Sequence, residues 1–404
     1  SIARRSTGFF ASRLSCCAIS RSLSTNSQRE TIPLQVLRQL PKAELHTHLD
    51  GCVRTKTILD LTKKDNVSLP GLLPGEVLPQ DELQKILKPP GGAASLVEFL
   101  RAFEYTLPVL QNTRALRRVF REMAEDYGAD GVSYLEIRFC PALHNERGCS
   151  SEEILRQVLE ESREISKEAK NGRSGLPITR VIVCAVRHLP IQNSLEMAEL
   201  AVNIAEEEKQ LPEEERQLVG FDLAGDEAGF ETRLFKEAFD HVYNHSNLGI
   251  TVHAGEAAGW KSVEQAIDLA HATRLGHGVR LIENQELVKR LASDTENPTT
   301  IEVCVTSNVL TKAIRSVEEH PVRQFFDAGS GLRVVPCTDG STMIGKSVSD
   351  QYDILQNSFD FTPQELVSLM NNSFSASFCH PSVKESLLQS ARDKYQSLLS
   401  EYNI

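Results

Sequence analysis

The sequence lacks any long apolar run and any excess of basic charge. No stretch of about 18 consecutive apolar residues, the length read as a membrane helix, occurs in its 404 residues. We therefore expect no membrane-spanning segment and no membrane partner. The 44 Lys and Arg residues stand against 55 Asp and Glu residues, which gives a net charge of -11. Because nucleic-acid-binding surfaces need a basic face, nucleic acid is not an expected partner.

The sequence also lacks a Cys-x-x-Cys pair, although it contains nine cysteines. Several of these cysteines lie inside apolar runs, such as Cys184 in VIVCAV and Cys304 in IEVCVT. Scattered cysteines in apolar surroundings are typical of small buried side chains in a reducing compartment. An intracellular protein without a disulfide framework is the expectation.

Acidic residues are absent from the first 29 positions, where five arginines and many serines occur. This composition is typical of an organelle transit peptide, and a disordered tail is an equally good interpretation. We therefore predict two parts: a tail of residues 1–30, and a folded body of residues 31–404 that carries the activity. Localisation is expected to be cytoplasmic, or mitochondrial or otherwise organellar if the tail is a transit peptide.

Eight short apolar runs with strand character follow from residue 31 onward. They are rich in Val, Ile and Leu, and most are too continuous for a strand with one solvent-facing side. Such runs are typical of parallel strands that are covered on both faces. The runs are Glu44 to His48, Ser133 to Phe139, Arg180 to Arg187, Val219 to Leu223, Gly249 to His253, Arg274 to Gly278, Thr300 to Val305 and Leu332 to Cys337.

Segments with helical spacing of apolar residues lie between these runs. They are Thr113 to Tyr127, Ser151 to Glu168, Leu195 to Glu207, Ser262 to Ala272, Asn284 to Leu291 and Pro363 to Ser377. Strand–helix alternation repeated eight times predicts an α/β fold, the (β/α)8 TIM barrel, with an open doubly wound sheet as the alternative. Roughly 80 residues separate the first two runs. They predict a long helical insertion whose amphipathic part, Leu96 to Leu107, forms a lid or wall over the site.

Polar residues stand at the ends of the predicted strands, where barrel enzymes place their chemistry. His46 and His48 point to one face of the first strand because side chains alternate along a strand. His253 and Asp339 follow two other strands and would complete a nitrogen- and oxygen-rich zinc site with one position open for water. Each of these residues alone is a weak signal, since a single buried His is more often a structural residue.

Two further residues at strand ends suggest acid–base chemistry. Glu256 lies three residues beyond His253, where a shielded carboxyl with a raised pKa would act as an acid near neutral pH. A Glu that is favoured at a helix N-terminus is the alternative interpretation. His277 lies on the next strand and would orient or deprotonate the attacking water.

The ordered motifs resemble those of the adenosine deaminase family of metal-dependent hydrolases. The resemblance covers most of the folded body and rests on PKAELHTHLDG at 41–51, FDLAGDE at 221–227, VHAGE at 252–256, RLGHG at 274–278 and TD at 338–339. It implies one Zn²⁺ per chain, held by His46, His48, His253 and Asp339. It further implies that Glu256 protonates purine N1, and that His277 and Asp339 assist and aim the attacking water.

The resemblance also implies the substrate contacts. The backbone N–H of Gly225 would meet purine N3, and Asp50 would hold the ribose 5′-hydroxyl. The side chains of Leu96, Phe99, Leu100 and Phe103 match the apolar lid of the family. The spacing of these four residues fits an ordinary core helix as well.

The implied reaction is hydrolytic deamination of adenosine or 2′-deoxyadenosine to inosine or 2′-deoxyinosine, a purine-salvage step that releases ammonia. One position departs from the animal-type pattern, in which a second aspartate contacts purine N7: here Gly340 follows Asp339. The loss of such a contact would cost on the order of 1.5–3 kcal/mol, unless Ser341 or Thr342 replaces it. The alternatives are therefore another 6-amino or N6-substituted purine nucleoside or nucleotide, another cyclic substrate, or a non-catalytic binding protein. The sequence leaves the oligomeric state open.

Overall fold

Eight parallel strands lie side by side in chain order, each paired with the strand that follows it. The computed structural model describes residues 30–89, 91–172, 175–402 and 404. The tail expected at residues 1–30 lies, except for Glu30, outside the described residues. The strands are β1 (Lys42–His48), β2 (Val132–Phe139), β3 (Ile178–Val186), β4 (Leu218–Ala224), β5 (Gly249–Ala254), β6 (Arg274–His277), β7 (Thr299–Val303) and β8 (Leu332–Pro336).

Asp339, three residues after β8, closes the sheet into a barrel. Its backbone N–H donates to the carbonyl of His46 at 2.8 Å, and its carbonyl accepts from the N–H of His48 at 2.9 Å. An open doubly wound sheet reverses its strand order at a switch point, whereas this order runs from β1 to β8 without reversal. The TIM-barrel prediction is confirmed, and each predicted strand lies within two residues of an observed one.

Helices connect the strands and surround the barrel. In the described part of the chain the α-helices are α1 (Leu34–Leu37), α2 (Thr55–Lys64), α3 (Gln80–Leu87), α4 (Leu96–Leu100), α5 (Phe103–Thr106), α6 (Thr113–Ala129), α7 (Ser151–Lys170), α8 (Ile191–Glu208), α9 (Lys236–His245), α10 (Trp260–Asp268), α11 (Gln285–Ser293), α12 (Val305–Leu310), α13 (Val322–Ala328), α14 (Ser341–Ile344), α15 (Val348–Ser358), α16 (Pro363–Ser375) and α17 (Pro381–Glu401). The six predicted helices correspond to α6, α7, α8, α10, α11 and α16.

Local capping motifs explain where several of these helices begin. Ser150 accepts from the N–H of Glu153, and the Glu153 side chain bonds back to Ser150, which forms a capping box at the start of α7. Thr362 and Glu365 make the same arrangement at α16, where Pro363 occupies the first helical position. These helix starts are therefore encoded by three or four neighbouring residues.

The predicted insertion lies between β1 and β2 and contains α2 to α5 before the crossover helix α6. The amphipathic segment from Leu96 to Leu107 is divided into α4 and α5, and a 3₁₀ turn, Leu107–Leu110, follows them. Pro108 has no N–H to donate and its ring would clash with the preceding turn, so the α-helix ends before it. The segment is a broken wall of short helices rather than one continuous helix.

The composition predicts neither a membrane-spanning segment nor a disulfide framework. Within the described residues no helix is long and apolar enough to cross a membrane. The seven cysteines in the same part of the chain are free thiols, and six of them are buried.

Candidate active site and metal centre

Five polar side chains from four strand ends meet at one end of the barrel. Ligand atoms of His46, His253, His277 and Asp339 all lie within 4.8 Å of one another. His48 joins them, because its Nε2 lies 3.1 Å from Nε2 of His253 and 3.4 Å from Oδ1 of Asp339. All four predicted metal ligands therefore converge, with His277 as a fifth neighbour, and their roles as ligands stay predictions.

Buried carboxylates orient two of these histidines. Nδ1 of His46 lies 2.7 Å from Oε2 of Glu302, and Nδ1 of His253 lies 3.1 Å from Oδ2 of Asp222. A carboxylate on one ring nitrogen directs the other nitrogen toward a metal and increases its basicity. Nε2 of His46 is buried without a hydrogen-bond partner and lies 3.5 Å from Oδ1 of Asp339.

Arg138 holds both orienting carboxylates from inside the barrel. Its fully buried guanidinium lies 2.8 Å from Asp222 Oδ2 and 2.9 Å from Glu302 Oε2. Burial would raise the pKa of Asp222 and Glu302, but the charges of Arg138 and of the adjacent histidines hold both values well below the ordinary range. Both carboxylates are therefore ionised where they bond the histidines. Sequence reasoning missed Arg138 and Glu302, although charged residues inside apolar strands were the available signal.

Gly276 on β6 leaves the space that the His46 ring occupies. A Cβ atom built at residue 276 would lie 2.8 Å from Cε1 of His46, which is closer than real contacts allow. The glycine in the RLGHG motif is therefore required by the close approach of a ligand side chain on β1.

His277 is held in one tautomer by a chain of hydrogen bonds. The N–H of Val322 donates to Nδ1 of His320 at 3.1 Å, which leaves the proton of this neutral ring on Nε2. That Nε2 contacts Oδ1 of Asn308 at 3.2 Å, so the Asn308 amide nitrogen donates to Nδ1 of His277 at 3.0 Å. Burial lowers the pKa of His277 well below its ordinary value. The ring is thus neutral, with its N–H at Nε2 facing the centre, where it can donate a hydrogen bond.

The predicted acid, Glu256, is buried beside His277. Its Oε2 lies 3.5 Å from Nε2 of His277, and its Oε1 accepts from the hydroxyl of Thr311 at 3.2 Å. Burial, with further contributions from the charges of Asp339 and Glu227, raises the pKa of Glu256 well above its ordinary value. A carboxyl in this setting keeps its proton to higher pH than an exposed carboxyl does, and it can donate that proton.

The surroundings of Asp339 shift its pKa in the direction opposite to that of Glu256. The backbone of Asp339 has φ +73°, and its Oδ2 accepts from the Ser307 hydroxyl at 2.6 Å. Burial would raise its pKa, but the contact with Nε2 of His46 and the charges of the surrounding histidines hold the pKa well below the ordinary range. Two carboxyl groups in one site therefore have pKa values shifted in opposite directions, which suits one to act as an acid and the other as an anion.

The donor set fits a zinc ion. Burial lowers the pKa of His48 and of His253, which keeps both rings in the neutral form that binds metal. For His46, burial and Arg138 lower the pKa, but the carboxylates of Asp339 and Glu302 outweigh them and raise it. A metal on His46 would therefore displace a proton. Imidazole nitrogens with one carboxylate oxygen form the sphere that catalytic zinc prefers.

A cavity of about 280 Å³ opens onto this centre. The six residues predicted to bind substrate all line it: Asp50, Leu96, Phe99, Leu100, Phe103 and Gly225. One carboxylate oxygen of Asp50, Oδ1, is buried without a hydrogen-bond partner, and burial raises the pKa of Asp50 to about 7. Among the described residues that line the cavity there is no Lys or Arg.

Gly340 lies behind Asp339 and packs against the backbone of Gly51. A Cβ at residue 340 would lie 3.1 Å from the Gly51 carbonyl oxygen. The hydroxyl of Ser341 donates to Sγ of Cys52 at 3.4 Å, and neither Ser341 nor Thr342 belongs to the cavity lining. The compensation considered for these two residues gains no support from this geometry.

Residues that follow β7 were missed by the sequence reasoning. Ser307, Asn308 and Thr311 contact Asp339, His277 and Glu256 respectively. The rule that chemistry lies at strand ends applies to β7 as well, but small polar residues carry little signal on their own.

Comparison with known proteins agrees with this geometry. The family model described as adenosine deaminase matches residues 41–394. A probable adenosine deaminase of Dictyostelium discoideum is 39% identical over 354 residues, which are 87% of this chain but only 42% of that protein. An adenosine deaminase of Clostridium acetobutylicum is 35% identical over 87% of this chain and 96% of its own length.

A solved structure has the same fold at lower identity. The Arabidopsis N6-mAMP deaminase superposes with a TM-score of 0.73 and 24% identity, over 90% of this chain and 99% of that one. Family membership rests on the sequence matches, which span both the histidine pair of β1 and the aspartate after β8. The chain belongs to the adenosine deaminase family, whose members are hydrolases that act on C–N bonds.

Proposed function

We propose that this chain is a zinc-dependent deaminase of adenosine and 2′-deoxyadenosine that forms inosine or 2′-deoxyinosine and ammonia. The observation that carries the proposal is the pairing of Glu256, protonated by burial, with the ionised Asp339 across one histidine cluster. Addition of water to the purine ring needs an acid at the ring nitrogen and an anion near the nucleophile. Both are present within the same cavity.

One zinc ion would be held by His46, His48, His253 and Asp339. When bound, it would lower the pKa of a coordinated water and supply a nucleophile near neutral pH. The carboxylates of Glu302 and Asp222 fix the directions of His46 and His253 toward that position.

The chain's own residues then control the proton and the attacking oxygen. Glu256 donates its proton to purine N1, which makes C6 electrophilic. The N–H at Nε2 of His277 donates to the attacking oxygen and orients it, while the ionised Asp339 helps to aim that oxygen at C6. The new C–O bond replaces the C–N bond. One proton of the attacking water passes to the amino group, which leaves as ammonia, and the other restores the proton that Glu256 gave to N1. Water and the purine nucleoside account for every atom of the products.

The substrate is a free nucleoside. The unpartnered Oδ1 of Asp50 is placed to accept a hydrogen bond from the 5′-hydroxyl. A 5′-phosphate would instead meet a carboxyl that is partly ionised near neutral pH, since its pKa is raised to about 7, and would be repelled by the ionised form. Since no Lys or Arg of the described residues lines the cavity, no fixed cation offsets that repulsion. Gly225 and the apolar residues of α4 and α5 form the remaining walls for the base and the lid.

The test is release of ammonia from adenosine, 2′-deoxyadenosine and adenosine monophosphate, with zinc content measured on the same protein. We expect turnover of both nucleosides, little turnover of the monophosphate, and one zinc per chain. A zinc-loaded protein that releases no ammonia from any adenine nucleoside would contradict the proposal. Faster turnover of the monophosphate would show that Asp50 does not exclude phosphate.

A further inference from the structure

Glu227 is a buried carboxylate that the reaction described above does not use. It lies just beyond the end of β4, in the DE pair of the FDLAGDE motif, and is only 2% exposed. Its carboxylate accepts four consecutive backbone N–H groups, those of Gly255 at 2.5 Å, Glu256 at 2.9 Å, Ala257 at 2.6 Å and Ala258 at 3.0 Å. These amides belong to the turn between β5 and α10, which carries the acid.

The four amide N–H groups form a concave anion-binding site, and the carboxylate of Glu227 occupies it. Successive N–H groups of a turn with a left-handed residue converge on a single point, and Gly255, with φ +73°, provides that residue. An ionised carboxylate has two oxygens with about four lone-pair positions, so it can accept all four bonds, which a neutral amide side chain cannot. Arg187 lies close enough for its charge to interact with Glu227.

The backbone of residues 255–258 determines the direction of the Glu256 side chain. Glu256 is the second residue of the bound stretch, and its carboxyl reaches His277 and Thr311 across the cavity floor. If the four amides lost their common acceptor, they would have to find other partners, since buried backbone donors are costly to leave unpaired. The backbone of Glu256 would then move, and its carboxyl with it.

We propose that Glu227 is a positioning residue of the reaction: it binds the backbone of residues 255–258 and thereby aims the Glu256 carboxyl at the substrate. This inference rests on the proposed function. The preceding residue offers a matched control, because Asp226 is only half-buried and its side chain accepts from the Gly229 N–H at 3.1 Å, away from the turn.

The kinetic test compares Glu227→Gln with Asp226→Asn. A misplacement of about 1 Å in a reacting group costs on the order of 100-fold in rate, so we expect Glu227→Gln to lower kcat by about that factor. KM and zinc content should stay near those of the wild type, and Asp226→Asn should leave kcat unchanged. An unchanged kcat in a zinc-loaded Glu227→Gln protein would overturn the inference, as would a loss explained entirely by missing zinc.

A double-mutant cycle separates positioning of the acid from general damage. In a Glu256→Gln background there is no acid left to aim, so Glu227→Gln should cost no more than about threefold further. Losses that multiply in the double variant would show that Glu227 acts elsewhere and would overturn the proposal. Glu227→Asp keeps the charge but retracts it by one methylene, and an intermediate kcat is expected if the Gln variant does not fold.

Hydrogen exchange tests, without any substrate, whether Glu227 restrains the backbone of residues 255–258. Amides of residues 255–258 should exchange faster in Glu227→Gln than in the wild type and in Asp226→Asn, while the strand amides keep their protection. Unchanged protection would overturn the inference even if kcat falls. If the wild type deaminates no nucleoside, the proposed function fails, whereas the exchange experiment still decides whether Glu227 fixes the turn.

Discussion

At the scale of single residues, the site consists of pairs in which one side chain sets the protonation state of another. Glu256 is a buried and Asp339 a largely buried carboxyl group, yet their pKa values are shifted in opposite directions. The difference arises from their neighbours, since histidines surround Asp339 while Glu256 faces other carboxylates. Separated pKa values of this kind distinguish an acid from an anion in one site.

Thr311 allows the acid to be tested by a change of pH profile. Its hydroxyl donates to Glu256 and lowers the pKa of that carboxyl, against the larger opposing effect of burial. Thr311→Val keeps the shape and removes the donor, so the pKa of Glu256 should rise. Because the reaction needs the protonated acid, activity is lost as pH rises through this pKa. The alkaline limb of kcat/KM should therefore move to higher pH. A limb that stays in place or moves to lower pH would argue against Glu256 as the acid.

Asn308 allows the tautomer of His277 to be tested. Asn308→Asp replaces the amide donor by a carboxylate acceptor of the same shape, which would draw the His277 proton to Nδ1 and remove the donor at Nε2. The expected result is a fall in kcat on the order of 10²-fold or more, with little change in KM. Steady-state kinetics on zinc-loaded protein measures it, and wild-type kcat in this variant would mean that His277 does not act through its Nε2 proton.

At the scale of elements, neighbouring strands must approach closely enough for their end residues to share one centre. β1 supplies two histidines, β5 and β6 supply one each, and the residue after β8 supplies the aspartate. The histidines lie on strands that are paired with a neighbour on each side, and Asp339 is joined to β1 through its backbone. Space between adjacent strands is therefore as important for the site as the identity of the ligands.

Gly276 tests this requirement for space. Gly276→Ala places a methyl group against the His46 ring on the neighbouring strand, so metal affinity should fall about 10–100-fold, the usual cost of disturbing a group that orients a ligand. Competition with a chromophoric chelator measures the affinity. Gly259→Ala is the matched control, because its added methyl would meet only the flexible end of Glu283. Equal metal affinity in both variants would contradict the argument.

At the scale of the whole molecule, closure of the barrel and assembly of the metal centre depend on the same residues. The backbone of Asp339 joins the chain after β8 to β1, while its side chain faces His46 and His48. Binding of zinc to these side chains would therefore join the first and last strands of the barrel a second time. The free energy of zinc binding would then add to the free energy of unfolding of the protein.

Removal of zinc should for this reason lower the melting temperature. A ligand present at 1,000 times its Kd stabilises a folded protein by about 4 kcal/mol, so chelation should reduce Tm by several degrees. Calorimetry with and without chelator measures the shift, and restored zinc should reverse it. Glu256→Gln, which keeps all four ligands, should show the same shift, whereas His46→Ala should melt at one temperature with or without chelator. If chelation leaves the Tm of the wild type unchanged, the metal centre does not stabilise the closed barrel.

Much of the fold was accessible from sequence because its signals are local. Apolar runs predicted all eight strands, since strands covered on both faces must be apolar throughout. Outside the insertion, the helices α1, α9, α12, α13, α14, α15 and α17 were not predicted. Five of these helices have ten residues or fewer, and the apolar spacing of α15 and α17 is only weakly periodic. Pro108 accounts for the end of α5, whereas no local sequence signal predicted the break between α4 and α5.

The sequence by itself predicted the ligand set and the acid and determined the family, because these residues occur in ordered motifs whose spacing can be recognised without coordinates. Only the tertiary structure decided which partners surround them. Glu302, Asn308 and Glu227 act on residues that are distant in the chain, across hydrogen bonds that no local pattern encodes. Protonation states follow from burial and from charges brought together by closure of the barrel. For this reason the chemical type of each group could be predicted from sequence, whereas its protonation state could be derived only from the neighbours that the closed barrel places around it.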